Sequence, residues 1–279
     1  MEKYVFIDVD GTLFDHSKHS VPISAVQALR QAKENGHKLF VCTGRVKEYM
    51  DSSYFKLPVT GFVYACGAHI EMDGQEIYSV QFPRKEIDEL SQFMEAHQIE
   101  YSLEGKTVNF FTEPFLKAYE SYFCKGLDEK DEMSIKFKEK KVVKTMDKIQ
   151  EEDYSQILKM AFQTEKRELM LEYLKTLPST LEYFVYSDSI SGDLEGEILV
   201  KGADKASGID HVLEYFDGNL EDTIALGDSD NDLSMIEHAH IGVAMGNACD
   251  SLKEKADYIT AHVSDDGLYK AFKYLGLIE

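Results

Sequence analysis

Apolar residues occur along the chain in short runs separated by charged stretches, a pattern that predicts strands alternating with helices. The first three runs are predicted to be buried strands: Tyr4–Ile7, Lys38–Cys42 and Phe62–Ala65. Ser24 and Gln27 form a capping-box pattern that predicts the start of an intervening helix, and Gly36 is expected to end it. A helical stretch is expected from Val46. This alternation is typical of a parallel sheet with helices on both faces.

The rhythm changes from Pro83 to about Gly196, where we predict a second, inserted α+β domain. Its predicted elements are an amphipathic helix, three short strands and a second helix: Lys85–His97, Thr107–Phe111, Ile157–Phe162, Leu181–Tyr186 and Glu165–Leu177. The alternation of helices and strands then resumes. A helix is predicted at Lys205–Phe216 and a strand at Thr223–Leu226. A short helix through Met235 and Ile236 leads to a last strand at Ile241–Ala244. The predicted fold is α/β: a doubly wound parallel sheet formed by 1–82 and 197–279, with 83–196 inserted.

Polar residues follow three of the predicted core strands: Asp8 and Asp10, Thr43 and Gly44, and Asp228, Asn231 and Asp232. Ligands of open parallel sheets bind at this carboxyl edge. Carboxylates there are costly unless a cation compensates their charge, and an all-oxygen set suits Mg²⁺. One carboxylate of the Asp8 and Asp10 pair could then act as a nucleophile. A hydroxyl and a glycine N–H near a helix start, as at Thr43 and Gly44, are typical of a phosphate site.

Composition narrows the classes of partner. Acidic residues outnumber basic ones 51 to 30 in 279 residues, for a formal net charge of −21, which disfavours nucleic acid and anionic membranes. An anionic substrate therefore needs a local device such as a metal ion, a lysine or a helix N-terminus. The four cysteines show no CxxC pair, no apolar run approaches ~20 residues, and a strand begins near the N-terminus. We expect neither a disulfide framework nor a signal peptide, and a cytoplasmic location.

Several features also allow an ordinary structural interpretation. Asp10-Gly11 is a common turn dipeptide, so this pair alone indicates a turn as readily as a site. The stretch from Asp228 to Asp232 resembles the start of a calcium loop, but Leu233 and Ala239 occupy its sixth and twelfth positions, so we reject that interpretation. The histidines lack ligand spacing and are interpreted as structural. A lysine-rich patch over 136–148 predicts either a solvated face or an anion-binding surface.

Four ordered motifs carry a resemblance to a known family. DVDGT at Asp8–Thr12, TGR at Thr43–Arg45, the lysine Lys205 and GDSDND at Gly227–Asp232 resemble the motifs of the haloacid dehalogenase-like (HAD) hydrolases. The arrangement is closest to the Cof-type phosphatases, in which a substrate-selecting cap domain is inserted between the second and third motifs. Further similarity lies in VAMGNA at Val243–Ala248. The resemblance implies a HAD-like Rossmannoid core with 83–196 as the cap.

The same resemblance implies a role for each matched residue. Asp8 would attack phosphorus and become an aspartyl-phosphate, while Asp10 would act as general acid and then general base. Mg²⁺ would bind Asp8, the backbone carbonyl of Asp10, and Asp228, and Asp232 would orient the surroundings of the metal. The groups that would hold the phosphoryl oxygens are the N–H of Val9 together with Thr43, Gly44, Lys205 and Asn231. Arg45 would contact either substrate or a surface carboxylate.

A few positions depart from the family pattern or compete with it. Lys201 is a rival for Lys205, but Gly202 three residues earlier matches the family spacing and favours Lys205. Cys66 stands in CGA where the family usually has an asparagine, which puts any polar role there in doubt. Asp204 and Ala206 flank Lys205 where smaller residues are commoner.

These features predict a Mg²⁺-dependent phosphomonoester hydrolase of a small phosphorylated metabolite, such as a sugar phosphate. One alternative is a phosphomutase, in which a substrate alcohol attacks the aspartyl-phosphate. Another is a catalytically idle phosphosugar-binding or regulatory protein, against which the intact set of Asp8, Asp10, Lys205 and Asp228 argues. The motifs identify the reaction class, and the identity of the substrate, the cap residues that contact it and the oligomeric state do not follow from them.

Overall fold

The structure is a computed structural model that describes residues 2–123, 142–186 and 192–279. These residues form two compact units. Unit 1 comprises the chain up to Gly44, Phe55–Ser79 and Ala203–Glu279, and unit 2 comprises Arg45–Tyr54 and Val80–Gly202. Within the described ranges, no helix is both long and apolar enough to cross a membrane.

The elements are numbered in chain order. The strands are β1 Tyr4–Ile7, β2 Lys38–Cys42, β3 Gly61–Tyr64, β4 His69–Met72, β5 Gln75–Ser79, β6 Glu100–Gly105, β7 Asn109–Phe111, β8 Val143–Thr145, β9 Ile157–Thr164, β10 Leu181–Val185, β11 Leu194–Val200, β12 Thr223–Gly227, β13 Ile241–Ala244 and β14 Tyr258–Ile259. The α-helices are α1 Ile23–Glu34, α2 Arg84–Ala96, α3 Glu113–Phe123, α4 Arg167–Leu174, α5 Lys205–Phe216, α6 Leu233–His238, α7 Asp250–Lys255 and α8 Gly267–Tyr274.

Unit 1 is built on one sheet with the strand order β14-β13-β12-β1-β2-β3-β4-β5. The strands from β14 to β3 are parallel, which confirms the predicted α/β fold class. The antiparallel hairpin β4–β5 extends the sheet and has no counterpart in the sequence prediction. Ile7 pairs with both Leu226 and Val41, so the chain leaves β1, β2 and β12 at one common edge. This register decides which loops can meet.

The strands of unit 1 are apolar because both of their faces are covered. Phe6 and Phe40 are fully buried and stack with ring centroids 5.0 Å apart. They share a hydrophobic cluster with residues of α5, α6 and α7, among them Ile209 and Met235. Val5 and its alternating neighbours point to the opposite face and are equally buried, and α1 packs against β2 and α8.

Unit 2 contains a six-stranded sheet with the order β10-β11-β9-β6-β7-β8, antiparallel except for the β7–β8 pair. Side chains of α2 and α4, including Leu90, Met94 and Met170, pack with Phe162 on one face of this sheet. Unit 2 does not end at residue 196, since β11 crosses that position and pairs with both β9 and β10. The assignment of 83–196 as a cap domain stays a prediction.

The predicted end of α1 agrees with the structure, whereas its predicted N-cap does not. Gly36 follows α1 with φ +89°, and the N–H groups of Gly36 and His37 donate to the carbonyls of Lys33 and Ala32, a Schellman motif. The prediction that Ser24 caps α1 is wrong. The N-cap is Pro22, and the hydroxyl of Ser24 donates to Asp266.

Other predicted elements differ from the structure. The helix expected from Val46 is wrong: the chain forms two short 3-10 turns instead, at Lys47–Tyr49 and Tyr54–Lys56. Strands β6, β8 and β11 and helix α3 were not anticipated by the sequence pattern. In the lysine-rich patch, Lys144 and Lys148 belong to unit 2, whereas Lys136, Lys138, Lys140 and Lys141 lie outside the described residues.

The stacked aromatic core of unit 1 predicts a large cost for truncation at its centre. Phe40→Ala should lower the free energy of unfolding by about 3–5 kcal/mol, because it removes a buried ring and leaves a cavity between β1 and α5. Tyr215→Ala, which truncates a ring that is 56% exposed on α5, should cost less than about 0.5 kcal/mol. Urea denaturation of both variants measures the difference, and equal costs would contradict this description of the core.

Candidate active site

The first catalytic candidate, Asp8, directly follows β1 and still belongs to its hydrogen-bonding ladder. Its N–H donates to the carbonyl of Leu226 in β12 at 3.0 Å, and only 4% of the residue is exposed. The chain then turns tightly, because the carbonyl of Val9 accepts from the N–H groups of Leu13 and Phe14 at 3.0 and 2.7 Å. Gly11 has φ +85° within this turn. The carboxylate of Asp8 is therefore buried and fixed at the end of a central strand.

Lys205 lies beside Asp8 as the first residue of α5. Its ammonium is fully buried and lies 2.7 Å from Oδ1 of Asp8 and 2.5 Å from Oδ1 of Asp232. The start of α5 is held by a capping box, in which the carboxylate of Asp204 accepts from the N–H of Ser207 at 2.8 Å. The rival Lys201 is an exposed residue of unit 2.

Asp232 connects this lysine to the loop that follows β12. Its Oδ2 accepts from the N–H groups of Asp228 and Ser229 at 2.9 and 3.0 Å, while Oδ1 faces Lys205. Both oxygens of a fully buried carboxylate are thus engaged. Asp232 consequently holds the loop that carries Asp228 against the helix that carries Lys205.

Asp228 is held from the other side by two residues to which the sequence reasoning assigned no role. Its Oδ1 accepts from the hydroxyl of Thr12 at 3.2 Å, and its Oδ2 from the amide of Asn247 at 3.3 Å. Asn247 also donates to the carbonyl of Gly11 at 2.8 Å and accepts from the N–H of Val263 at 2.9 Å. Asn247 belongs to the VAMGNA stretch, and this similarity to the family is the one signal in the sequence that points to it.

The carboxylates form a group of oxygen ligands. Among the described residues, ligand oxygens of Asp8, Asp228 and Asp232 lie within 4.8 Å of one another. Burial, reinforced by the charge of Asp232, raises the pKa of Asp8 to about 7. Burial and the charge of Asp8 likewise raise the pKa of Asp228 to about 9. Burial would lower the pKa of Lys205, but the charges of Asp232 and Asp8 raise it well above its ordinary value.

These shifts describe a site with an excess of negative charge, since a single lysine faces three carboxylates. A hard divalent cation with oxygen ligands would relieve that excess, so the donor set fits Mg²⁺. Asp232 is already bonded to Lys205 and to the backbone of its own loop. This leaves Asp8 and Asp228 as the carboxylates that would hold the metal, and the backbone carbonyl of Asp10 as a further ligand stays a prediction from the family resemblance.

The candidates for phosphate binding lie at the ends of β2 and β12. A side chain added at Gly44 would place its Cβ 3.2 Å from the amide nitrogen of Asn231 and 3.4 Å from the sulfur of Cys66. Thr43 is buried, and its carbonyl accepts from the N–H of Cys66 at 3.0 Å. The structure thus brings Gly44, Asn231 and Cys66 together beside Thr43, and a side chain at Gly44 would be in tight contact with the amide of Asn231.

Cys66 has φ +55°, in the left-handed region where asparagine is the favoured non-glycine residue. The asparagine usual in the family would suit this conformation, and the cysteine adopts it as well. The following Gly67 has φ +106°, and a Cβ there would lie 2.2 Å from the carbonyl oxygen of Asp204. This loop therefore packs against the residue that caps α5.

Two of the predicted site residues, Asp10 and Arg45, do not belong to the buried cluster of carboxylates and Lys205. Asp10 has a side chain that is 36% exposed, and its Oδ1 lies 3.0 Å from Nε2 of His16. Arg45 belongs to unit 2, where its guanidinium donates to the carbonyl of Tyr49 at 3.4 Å. Val9 is fully buried, as the turn after β1 requires.

The raised pKa values predict how stability depends on pH in the metal-free protein. Because the folded-state pKa of Asp8 and of Asp228 exceeds the ordinary 3.8, these two groups bind more protons in the folded protein than in the unfolded chain between about pH 4 and their folded-state pKa values. The stability contributed by these groups is therefore lost as pH rises towards about 7 and about 9. Asp228→Asn should reduce the fall in melting temperature between about pH 5 and about pH 8 and should also reduce the stabilisation by added Mg²⁺.

The matched control for this measurement is Asp230→Asn, in the same loop, whose carboxylate accepts from the hydroxyl of Ser251 at 2.8 Å. It should keep the pH dependence and the Mg²⁺ response of the wild type. If Asp228→Asn and Asp230→Asn showed the same slope with pH, the excess negative charge would not lie at Asp228.

Close approach at Gly11 predicts a second effect. A Cβ there would lie 2.1 Å from Oδ2 of Asp228, so Gly11→Ala must displace this carboxylate. Gly74→Ala is the matched control, since Gly74 has φ +75° with nothing within 4 Å of an added Cβ. Both variants should lose about 1–2 kcal/mol of stability from backbone strain, but only Gly11→Ala should also lose most of its Mg²⁺-induced thermal shift. Equal thermal shifts would contradict the contact.

Comparison with known proteins agrees with this geometry. The family model of the haloacid dehalogenase-like hydrolases matches residues 5–272. YkrA of Bacillus subtilis (strain 168), provisionally named a phosphatase, is 30% identical, with 99% of each chain covered. YcsE of the same organism, named a 5-amino-6-(5-phospho-D-ribitylamino)uracil phosphatase, is 27% identical over 98% of this chain and 95% of its own.

Solved structures give the same result. A sugar phosphatase of subclass IIB of this superfamily, BT4131, superposes with a TM-score of 0.81 at 28% identity, covering 99% of this chain and all of its own. The buried carboxylates at the strand ends, the family model and the relatives lead to one conclusion. The chain belongs to the haloacid dehalogenase-like hydrolases and is an enzyme of their phosphatase type.

Proposed function

We propose that this protein is a Mg²⁺-dependent phosphomonoester hydrolase that acts on a small phosphorylated metabolite through an aspartyl-phosphate on Asp8. The observation that carries the proposal is the position of the Asp8 carboxylate. It is buried at the end of a central strand, 2.7 Å from the ammonium of Lys205 and within one oxygen cluster with Asp228. A carboxylate that is fixed and partly neutralised in this way is suited to attack phosphorus.

In the first proposed step, a carboxylate oxygen of Asp8 forms a bond to phosphorus while the ester bond to the leaving oxygen breaks. Asp10 gives its proton to that oxygen, so the alcohol leaves neutral. Lys205 stabilises Asp8 in its ionised form and, with Thr43, Gly44 and Asn231, would oppose the negative charge spread over the phosphoryl oxygens. Bound Mg²⁺ would supply positive charge at the phosphoryl group, held by Asp8, Asp228 and the carbonyl of Asp10.

In the second step, a water molecule attacks the phosphorus of the aspartyl-phosphate, and the bond to Asp8 breaks. Asp10, now ionised, accepts a proton from the water, and inorganic phosphate is released with the starting carboxylate restored. Asp10 thus returns to its protonated state at the end of each turnover. Its greater exposure, compared with that of Asp8, is consistent with a group that meets both an alcohol and a water.

The proposed substrate class is a phosphate ester of a sugar or sugar alcohol. Two relatives support this choice: one is named a sugar phosphatase, and the other acts on a phosphoribitylamino compound according to its name. We further propose that unit 2 is the inserted cap and selects the alcohol portion of the substrate. The cytoplasmic location expected from the cysteine pattern also remains a proposal.

The direct test measures phosphate release from p-nitrophenyl phosphate with and without Mg²⁺, for the wild type and for Asp8→Asn. Activity should require the metal, and Asp8→Asn should lose at least about 10³-fold, because no other group replaces the nucleophile. Acid-quenched wild type should carry one phosphoryl group on the peptide that contains Asp8. Equal, metal-independent inactivity of both proteins would contradict the proposal.

A panel of phosphorylated sugars and sugar alcohols then defines the substrate and separates hydrolysis from the mutase alternative. A hydrolase releases one inorganic phosphate for each ester consumed. An isomeric phosphate ester without free phosphate would instead identify a phosphomutase. Tight binding of a phosphosugar without any turnover would identify a binding protein.

A further inference from the structure

We propose that His16 is a positioning residue for Asp10, holding the carboxyl group of Asp10 in the orientation from which it transfers a proton to the leaving group. This proposal rests on the proposed function, in which Asp10 is the general acid. His16 lies outside the four motifs that carry the family resemblance. Its connection to the site is made by the fold of the turn after β1.

The turn returns the chain to Asp10 within a few residues. The N–H of Phe14 donates to the carbonyl of Val9 at 2.7 Å, and the N–H of Gly11 donates to the carbonyl of Phe14 at 3.0 Å. Asp10 and Phe14 form an isolated parallel bridge. The residue two positions after Phe14 consequently lies beside Asp10, and Nε2 of His16 is 3.0 Å from Oδ1 of the carboxylate.

His16 is held in place although its side chain is 54% exposed. Its ring packs edge-on against Phe14, with centroids 5.2 Å apart and an angle of 80° between the planes. The preceding residue, Asp15, is buried, and its Oδ1 accepts from the N–H and the hydroxyl of Ser17 at 2.9 and 2.6 Å. The backbone on both sides of His16 is therefore anchored, which limits the directions that the imidazole can take.

The orientation of the Asp10 carboxyl group matters for its proposed role, and this group is more exposed than the carboxylates of Asp8 and Asp232. Its side chain is 36% exposed, whereas those of Asp8 and Asp232 are 6% and 0% exposed and both contact Lys205. Packing restrains a partly exposed carboxyl less than a buried one, and proton transfer depends on the direction in which the acid points. The contact of Nε2 of His16 with Oδ1, at 3.0 Å, limits rotation of the carboxyl group about its Cβ–Cγ bond.

The experiment exploits the dependence of general acid catalysis on the leaving group. p-Nitrophenolate leaves readily without a proton, whereas phenolate is a poorer leaving group that benefits from one. The ratio of kcat/KM for phenyl phosphate to that for p-nitrophenyl phosphate, at saturating Mg²⁺, therefore reports the acid. A general loss of folding or of metal binding would lower both values and leave the ratio unchanged.

His16→Ala should lower kcat/KM for phenyl phosphate by about tenfold and that for p-nitrophenyl phosphate by less than about twofold. The tenfold loss is a part of the rate enhancement of about 10²–10⁴ that a general acid contributes. His16→Gln, which keeps a side-chain N–H donor, should recover most of the ratio. His238→Ala is the matched control, because His238 pairs with Asp210 at 2.7 Å between α6 and α5. It should keep the wild-type ratio.

A double-mutant cycle tests whether His16 acts through Asp10. In an Asp10→Asn background, His16→Ala should cause no further change in the ratio. Equal losses with both substrates, an unchanged ratio in His16→Ala, or additive effects in the cycle would each overturn the proposal. These results are distinct from failure of the proposed function, in which the wild type itself would release phosphate from neither substrate.

Discussion

The interaction on which the site depends is the buried ammonium of Lys205 shared between Asp8 and Asp232. It joins three parts of the sequence that are far apart: the end of β1, the loop after β12 and the first turn of α5. Burying three charges is costly, and their mutual attraction repays the cost only with good geometry. The capping box at Asp204 and the backbone donors to Asp232 supply that geometry. The cluster still carries an excess of negative charge, which is what makes it suitable for a divalent cation.

A second layer of contacts keeps Asp228 in position. Thr12 and Asn247 each donate to one of its oxygens, and Asn247 also binds the carbonyl of Gly11 in the turn after β1. The carboxylate is thereby held between two loops that follow different strands. Since Gly11 approaches Asp228 too closely for any side chain, the DVDGT motif is constrained by sterics as well as by chemistry. Glycine is required there for both its φ angle and its size.

Unit 2 explains why the sequence pattern was less informative in the middle of the chain. One face of its sheet carries charged residues that are buried: Lys159 lies 2.6 Å from Glu197 and 3.3 Å from Glu104. Burial raises the pKa of Glu104, although the neighbouring lysine opposes this. Strands β6 and β11 therefore have glutamates at buried positions, and these charged residues interrupt the apolar pattern from which a strand would be predicted. Their stabilising partners are supplied by β9, at a distance in sequence that no local pattern reveals.

By itself, the sequence determined the parallel α/β core, the helix over Lys205–Phe216, the end of α1 at Gly36, and the set of polar residues at three strand ends. These features depend on apolar periodicity, on the residues at helix ends and on the shared carboxyl edge of parallel strands, and short stretches of sequence are enough to recognise them. Tertiary structure alone decided that Asp232 binds Lys205, that Asn247 holds Asp228 and that His16 contacts Asp10. Each of these contacts depends on strand register or on the path of a turn, which bring together side chains whose spacing along the chain contains no signal.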